Sequence, residues 1–220
     1  MSGALETRGL TKRFGGLVAL DGVNLQAASG ETLGIIGVNG AGKTTMLKVM
    51  CGIYPPTTGR VTVEGDIACL FELATGFEME ATGWENIRTR GLLLGLTAAE
   101  LRDKEREIAE FTELGGALDR PVKTYSAGMS MRLAFAVSTS IAPDVLLLDE
   151  VIAAGDIRFH EKAQRRLDAM MEHASIVVLV SHNMDTVRRM CSRVVWLEGG
   201  RIRDQGVTEE MIGAYQTASA

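Results

Sequence analysis

The sequence predicts an α/β fold with an N-terminal antiparallel β region and a core of buried strands, split by an inserted helical lobe. Three observations predict it. Short apolar runs bounded by Gly and Ser fill the first third of the chain. Residues of roughly 75–143 instead carry many charges, with apolar positions at helical spacing. After Pro143 the short apolar runs return and alternate with a helix, as buried parallel strands do. The 220 residues are therefore expected to form one domain, 1–220, with 1–74 and 144–220 as the α/β core and 75–143 as the lobe.

Taken in order, Leu5–Leu10, Val18–Leu25 and Thr32–Ile36 read as strands. Gly37–Gly42 is a glycine-rich turn, followed by a helix from Lys43 to about Met50. Arg60–Val63 and Asp66–Phe71 read as strands on either side of the turn residues Glu64-Gly65. Thr82-Gly-Trp-Glu85 and Thr97-Ala-Ala-Glu100 each fit a capping box, in which Thr caps the first turn and Glu reaches back. Leu101, Ile108, Phe111 and Leu114 recur at helical spacing, and Ser126 opens another helix that runs through Ser138.

Beyond the lobe, Val145–Leu148 and Ile176–Val180 read as buried strands. Between them a helix from Ile157 to Met171 carries Phe159, Ala163, Leu167 and Met170 on one face. Val194–Leu197 and Arg201–Asp204 flank Gly199-Gly200 as a hairpin, and a helix near Glu209–Gln216 closes the chain.

Composition removes several functional classes. Hydrophobic residues make up 46% and charged residues 23%, the balance of a packed soluble domain. A formal net charge of −5 argues against a nucleic-acid binder, so no nucleic acid is expected as partner. No charge-free run approaches the roughly 20 residues that span a bilayer. The first ten residues lack the basic-then-apolar layout of a secretory signal, so a cytoplasmic location is expected. Cys51, Cys69 and Cys191 are far apart in sequence and read as small buried thiols in a reducing compartment. His160 and His173 lack metal-ligand spacing and read as surface helix residues.

The segment Gly37-Val-Asn39-Gly40-Ala41-Gly42-Lys43-Thr44 matches Gly-x4-Gly-Lys-[Ser/Thr] in full. It follows an apolar strand and opens a helix, which is where a phosphate cradle has to sit. Its glycines let the backbone wrap close to phosphates with N–H groups inward, and the helix N-terminus adds positive potential. Lys43 is expected on the β- and γ-phosphates of ATP, with the Thr44 hydroxyl on Mg2+.

Val145-Leu-Leu-Leu-Asp149-Glu150 is an apolar strand ending in two carboxylates. Acids also end strands merely as solvated residues, and it is the P-loop upstream that favours a catalytic reading. Asp149 would help hold Mg2+, directly or through water, and Glu150 would polarise the attacking water as general base. His182 follows Ile176–Val180 at a further strand edge. It reads either as structural or as a partner of the γ-phosphate or its attacking water.

With these residues in place, the chain resembles the nucleotide-binding subunits of ABC transporters over almost its whole length. The deciding segment, Tyr125-Ser126-Ala127-Gly128-Met129, is similar to that family's Leu-Ser-Gly-Gly-Gln signature. The resemblance implies a P-loop NTPase core of ABC type and a head-to-tail homodimer that sandwiches two ATP molecules. In it, Ser126 and Gly128 of one copy close over the P-loop of the other. It also implies that Phe14 stacks on adenine and that Asp156 crosses the dimer interface. His182 joins Lys43 and Glu150 as a catalytic group. The nucleotide-binding set is then Phe14, Gly37, Asn39, Gly40, Ala41, Gly42, Lys43, Thr44 and Thr45, plus Ser126, Gly128 and Asp156. Thr44, Glu72 and Asp149 form the metal set.

Three departures narrow the resemblance. Glu72 stands where most members carry Gln, Glu150-Val lacks the usual proline, and Ala127 and Met129 replace Gly and Gln. Together with Thr82-Gly-Trp84-Glu85-Asn86, they resemble the ATPases that export O-antigen, capsule and teichoic-acid polymers. An ionised Glu72 accepts hydrogen bonds but donates none, so metal contact survives the change and a donor role does not. The resemblance implies an integral membrane subunit as partner, near Ala74–Asn86, and a peripheral position on the inner face of the cell membrane. The alternatives are an ABC ATPase for a drug or small lipid, a nucleic-acid-linked ABC ATPase, and a non-hydrolysing regulatory module.

Overall fold

The computed structural model describes residues 4–71, 73, 76–149 and 157–218, with the side chains of 157 and 158 left aside. The chain divides into two compact units. One comprises Met1–Phe71, Pro143–Val151 and His173–Ala220; the other comprises Glu72–Ala142 and Ile152–Glu172.

The first unit carries two sheets. Strands β1 (Leu5–Phe14), β2 (Leu17–Ala27) and β4 (Thr58–Val63) form an antiparallel sheet in the order β2-β1-β4. The second sheet comprises β3 (Glu31–Ile36), β5 (Ile67–Leu70), β6 (Val145–Asp149), β7 (Ile176–Val180), β8 (Arg193–Glu198) and β9 (Arg201–Val207). Its order is β5-β6-β7-β3-β8-β9, parallel except for the β8–β9 hairpin.

The parallel strands β6 and β7 are near-continuous apolar runs because both faces are covered. Leu33, Ile35, Val145, Leu147, Ile176, Val178, Val180, Val195 and Leu197 share one core cluster with Leu5, Leu10, Leu20 and Leu25 of the first sheet. Helix α1 (Lys43–Met50) adds Met46, Leu47, Val49 and Met50 to the same cluster. The alternate residues Leu146, Leu148, Val177, Leu179, Val194 and Trp196 are buried too, so both faces of these strands contribute apolar surface.

The second unit is helical. It contains α2 (Gly83–Leu93), α3 (Ala98–Thr112) and α4 (Ala127–Ser138), with most of α5 (Ile157–His173). Phe111, Phe135 and Phe159, from three of these helices, meet with ring centroids 5.7–6.2 Å apart. Both capping boxes form: Thr82 Oγ1 accepts from Glu85 N and Thr97 Oγ1 from Glu100 N, while each glutamate accepts from its threonine's backbone N–H. Helix α6 (Met184–Met190) and α7 (Thr208–Ala218) complete the elements of the first unit.

The structure departs from the sequence reading at three places. Residues 152–172 group with the helical unit rather than with the core, because Lys162 and Arg166 of α5 bond the Phe111 and Thr139 carbonyls and Phe159 packs on Phe111. Leu114 lies past the end of α3, since Glu113 turns left-handed (φ 58°) and stops the helix. Helix α6 was absent from the sequence reading; it is short, and Asn183 caps it by accepting from Asp185 N and Thr186 N.

Candidate nucleotide site

The P-loop leaves the C-terminal end of β3 and enters α1. Gly37 is buried with φ 150°, and a Cβ there would lie 2.2 Å from the Leu197 carbonyl oxygen. Gly42 is left-handed (φ 106°) as the N-cap of α1, and a Cβ would meet the Ala19 carbonyl at 2.5 Å. Backbone carbonyls thus leave no room for a side chain at Gly37 or Gly42, and Gly40 is left-handed at φ 83°. Asn39 and Gly40 are exposed at the turn, Ala41 is buried, and Thr45 is half-buried in the first turn of α1. That turn holds no acidic residue, and its leading N–H groups have no intrahelical acceptor, so it attracts anions.

Lys43 is buried, and its Nζ donates to the Gly37 carbonyl at 2.7 Å and the Val38 carbonyl at 3.0 Å. The ammonium is thus held under the loop. Thr44 is exposed, and its hydroxyl donates to Asp149 Oδ2 at 2.7 Å. Asp149 ends β6, paired in register with Val180, the last residue of β7. His182 is exposed two residues further on, between buried Ser181 and the helix cap Asn183. Strands β3, β6 and β7 run parallel, so Lys43, Thr44, Asp149 and His182 follow strand ends on one edge of the sheet. Ligands bind at that edge in open α/β sheets. Thr44 and Asp149 present hard oxygens side by side, a donor set suited to Mg2+, which takes one or two protein oxygens besides phosphate and water. Glu72, Glu150 and Asp156 lie outside the described residues.

Phe14, at the tip of β1, is 41% exposed. Tyr54 meets it edge to face with centroids 5.3 Å apart. Lys12 Nζ lies 4.9 Å from the Phe14 centroid and donates to the Pro55 carbonyl at 2.8 Å. Lys48 of α1 lies 5.5 Å from the centre of the Tyr54 ring, which links the P-loop helix to the aromatic pair. Tyr54 and Lys12 were missed in the sequence. Lys12 had a usable signal, two residues from Phe14 and hence on the same face of a strand. Tyr54 sits in a loop without periodicity and had none.

In the helical unit, Ser126 is the exposed N-cap of α4, and its Oγ accepts from Met129 N at 3.3 Å. The first turn of α4 holds no acidic residue. A Cβ on Gly128 would meet only Ser126 Oγ, at 3.9 Å, so the chain's own packing does not require glycine there. Gly83 is the opposite case, since a Cβ would lie 2.4 Å from Tyr125 Oη and 2.7 Å from Leu118 Cδ2. Asn86 is buried, with Oδ1 accepting from Glu78 N and Nδ2 donating to the Glu78 and Thr82 carbonyls. The Thr82-Gly-Trp84-Glu85-Asn86 segment is thus a folded turn with a reason for each of four residues.

The thiols differ from the sequence reading. Cys191 is buried, and burial pushes its thiol up to about 12. Cys51 and Cys69 are only half-buried, and Cys51 Sγ donates to the Lys48 carbonyl at 3.5 Å. His160 and His173 are exposed on α5, as expected. Among the described residues no helix is long and apolar enough to cross a membrane.

The sequence and fold match known proteins throughout. Residues 20–153 match the family model described as "ABC transporter". The O-antigen export system ATP-binding protein of Myxococcus xanthus is 44% identical over 202 residues, covering 92% of this chain and 46% of that protein. Its counterpart in Yersinia enterocolitica is 44% identical over 191 residues, covering 87% of this chain and 80% of that one. The teichoic acids export ATP-binding protein of Lactococcus lactis subsp. lactis is 38% identical over 198 residues, 90% of this chain and 42% of that protein. The chain therefore spans less than half the length of the Myxococcus and Lactococcus relatives.

Among solved structures, an ATP-binding subunit of an ABC transporter superposes with a TM-score of 0.79 at 23% identity, covering 98% of this chain and 95% of that one. A dimeric ATP-binding cassette solved in a post-hydrolysis state with ADP and Pi gives 0.73 at 24% identity, covering 93% and 98%. A P-loop closed by its own glycine requirements, a threonine bonded to the acid at the end of β6 and a family match over these same residues lead to one conclusion: the chain belongs to the ABC transporter family.

Proposed function

We propose that this chain binds ATP with Mg2+ and hydrolyses it, as the motor of a transporter that exports a lipid-linked polysaccharide such as O-antigen, capsule or teichoic acid. The observation that carries the chemistry is the Thr44 Oγ1–Asp149 Oδ2 contact at 2.7 Å beside a buried Lys43. Polymer export rests on the names of the relatives, which are 38–44% identical.

In this reading the P-loop N–H groups from Asn39 to Thr45 wrap the phosphates. The ammonium of Lys43 moves from the Gly37 and Val38 carbonyls toward phosphate oxygens, using donors it already points at the loop. Thr44 and Asp149 hold Mg2+, with Glu72 as a further oxygen. Bound Mg2+ offsets the charge gathered on the phosphates during transfer. Glu150 takes the proton of the attacking water, and His182 holds the γ-phosphate or that water. Phe14 offers its ring to adenine.

The second half of each site comes from another copy of the chain. Ser126 and Gly128 stand at a helix N-terminus free of acidic residues, and among the described residues only Ser126 Oγ comes within 4 Å of a Cβ on Gly128. In the same reading Asp156 reaches across that interface. The membrane subunit docks near Ala74–Asn86, and the motor is peripheral on the inner face of the cell membrane.

Phosphate release by the wild type and by Glu150→Gln tests the reaction. Loss of turnover with ATP binding retained supports the general-base role. Equal rates sink it, and absence of ATP binding in both sinks the nucleotide reading. Deleting the gene tests the cargo, since surface polymer should vanish while sensitivity to drugs stays unchanged.

A further inference from the structure

The phosphate loop is braced by the turn of the β8–β9 hairpin. At the start of the loop, the Leu197 carbonyl of β8 is the group that leaves no room for a side chain on Gly37. Near its end, the buried Gly200 N–H donates to the Ala41 carbonyl at 3.0 Å. The turn itself is held on β2. The Gly200 carbonyl accepts from the Asp21 N–H at 2.9 Å, and Arg201 donates through Nε and Nη2 to Asp21 Oδ2 at 2.9 and 2.5 Å. Gly200 is left-handed at φ 80°, and a Cβ on it would lie 2.8 Å from the Ala19 carbonyl oxygen. The same oxygen would meet a Cβ on Gly42 at 2.5 Å, so hairpin and loop are seated on one carbonyl of β2 by two glycines.

The bond to Ala41 also fixes the direction of a donor. A trans peptide is planar, with its C=O and N–H pointing to opposite sides. Holding the Ala41 carbonyl on Gly200 therefore turns the Gly42 N–H away from the hairpin. The other loop carbonyls are anchored from within, since Gly37 and Val38 accept from the Lys43 ammonium and Val38 also accepts from the Ala41 N–H at 3.1 Å. Glycine at position 42 would otherwise let the Ala41–Gly42 peptide rotate at little cost. The hairpin supplies the restraint that the loop's own sequence lacks.

We propose, on the reading that the phosphates of ATP lie in the P-loop, that Gly200 is a positioning residue for that loop. Its N–H pins the Ala41 carbonyl so that the Gly42 N–H is set to donate to a phosphate oxygen. In this role Gly200 meets no phosphate itself and acts through the Ala41–Gly42 peptide. A donor fixed before the anion arrives needs no reorganisation when charge develops on the phosphates. The Asp21–Arg201 pair keeps the hairpin seated, and as an exposed ion pair it is the weaker part of the device.

The full chain, isotopically labelled for amide NMR, is titrated with ADP and separately with tripolyphosphate. In the wild type the Gly42 amide proton should move downfield on binding, because it gains a charged acceptor. Gly200→Ala forces the turn off the Ala19 carbonyl and hence off Ala41. It should lose most of that Gly42 shift and bind both ligands about tenfold to a hundredfold more weakly, the usual loss for one hydrogen bond to a charged group. An equal loss for tripolyphosphate, which has no base, places the effect on the phosphates. Gly199→Asn is the control: Gly199 is exposed at φ 55°, which Asn tolerates, and among the described residues nothing lies within 4 Å of a Cβ there. Its affinity and Gly42 shift should match the wild type. Should Gly200→Ala fail to fold, Arg201→Met decides on the same signal, with part of the Gly42 shift lost and ADP affinity about twofold lower. A folded Gly200→Ala with the wild-type Gly42 shift and affinity would overturn the proposal. So would an unchanged Gly42 shift in Arg201→Met, where that variant stands in, or a loss in Gly199→Asn equal to that in Gly200→Ala. A wild type that binds neither ADP nor tripolyphosphate would instead sink the nucleotide reading on which the proposal rests.

Discussion

The Thr44 hydroxyl donates to the Asp149 carboxylate at 2.7 Å across 105 residues of sequence. Thr44 comes from the first turn of α1 and Asp149 from the end of β6, so the bond joins the phosphate loop to the acidic strand. Thr44→Val should keep the fold, lose the dependence of nucleotide affinity on Mg2+ and leave metal-free ATP binding in place. Calorimetric titration with and without Mg2+ measures this; an undiminished Mg2+ effect would remove Thr44 from the metal set. Lys43→Ala should cut kcat/KM by about 10²- to 10³-fold, the usual loss for one donor to a developing charge.

Tyr54 holds Phe14 by an edge-to-face contact and touches neither phosphate nor metal in the proposed reading. Such pairs contribute about 0.5–1.5 kcal/mol. Tyr54→Ala should therefore raise KM for ATP roughly threefold to tenfold while kcat stays near the wild-type value. Tripolyphosphate, which has no base, should bind both proteins equally; a matching loss for tripolyphosphate would show that Tyr54 acts on the loop instead.

Gly83 and Gly128 make opposite predictions from the same substitution. A methyl on Gly83 runs into Tyr125 and Leu118, so Gly83→Ala should destabilise the chain by about 1–3 kcal/mol of overpacking. Among the described residues a methyl on Gly128 meets only Ser126 Oγ, so Gly128→Ala should melt like the wild type. In a Glu150→Gln background it should nonetheless weaken the ATP-dependent dimer seen by sizing chromatography. A lowered melting temperature for Gly128→Ala would show that the glycine serves its own chain.

Acid should loosen the helical unit through its capping boxes. Hydrogen bonds from the Thr82 backbone and hydroxyl hold Glu85 below the usual carboxylate range, and the Thr97 hydroxyl and backbone do the same for Glu100. For groups with a depressed folded pKa, the stabilisation is complete above the ordinary carboxylate value and is lost as pH falls through the depressed one. Helical circular dichroism should stay flat down to the ordinary carboxylate range and decline below it. Replacing both glutamates with glutamine should flatten that decline. Thr82→Ala should cost about 1 kcal/mol at neutral pH, measured by urea unfolding.

Much of this was legible in the sequence because the information is local. The P-loop is contiguous, and the left-handed angles of Gly40 and Gly42 belong to its own turn, whereas the Leu197 and Ala19 carbonyls that crowd Gly37 and Gly42 come from distant strands. The Ser126 cap and both capping boxes need only residues three apart. Strand β7 and the buried face of α5 followed from apolar runs and helical spacing. Leu114 was misread because periodicity cannot see the left-handed turn at Glu113 that stops α3.

By itself, then, the sequence determined the phosphate loop, the capped helices and the buried strands, since each depends on backbone preferences over one or two turns. Only the tertiary structure decided that Thr44 meets Asp149 and that Tyr54 braces Phe14. Those contacts depend on sheet order, which placed β4 and β5 in different sheets and β6 beside β7. Strand order follows from how two sheets and a helix share one core, and no local pattern encodes that packing.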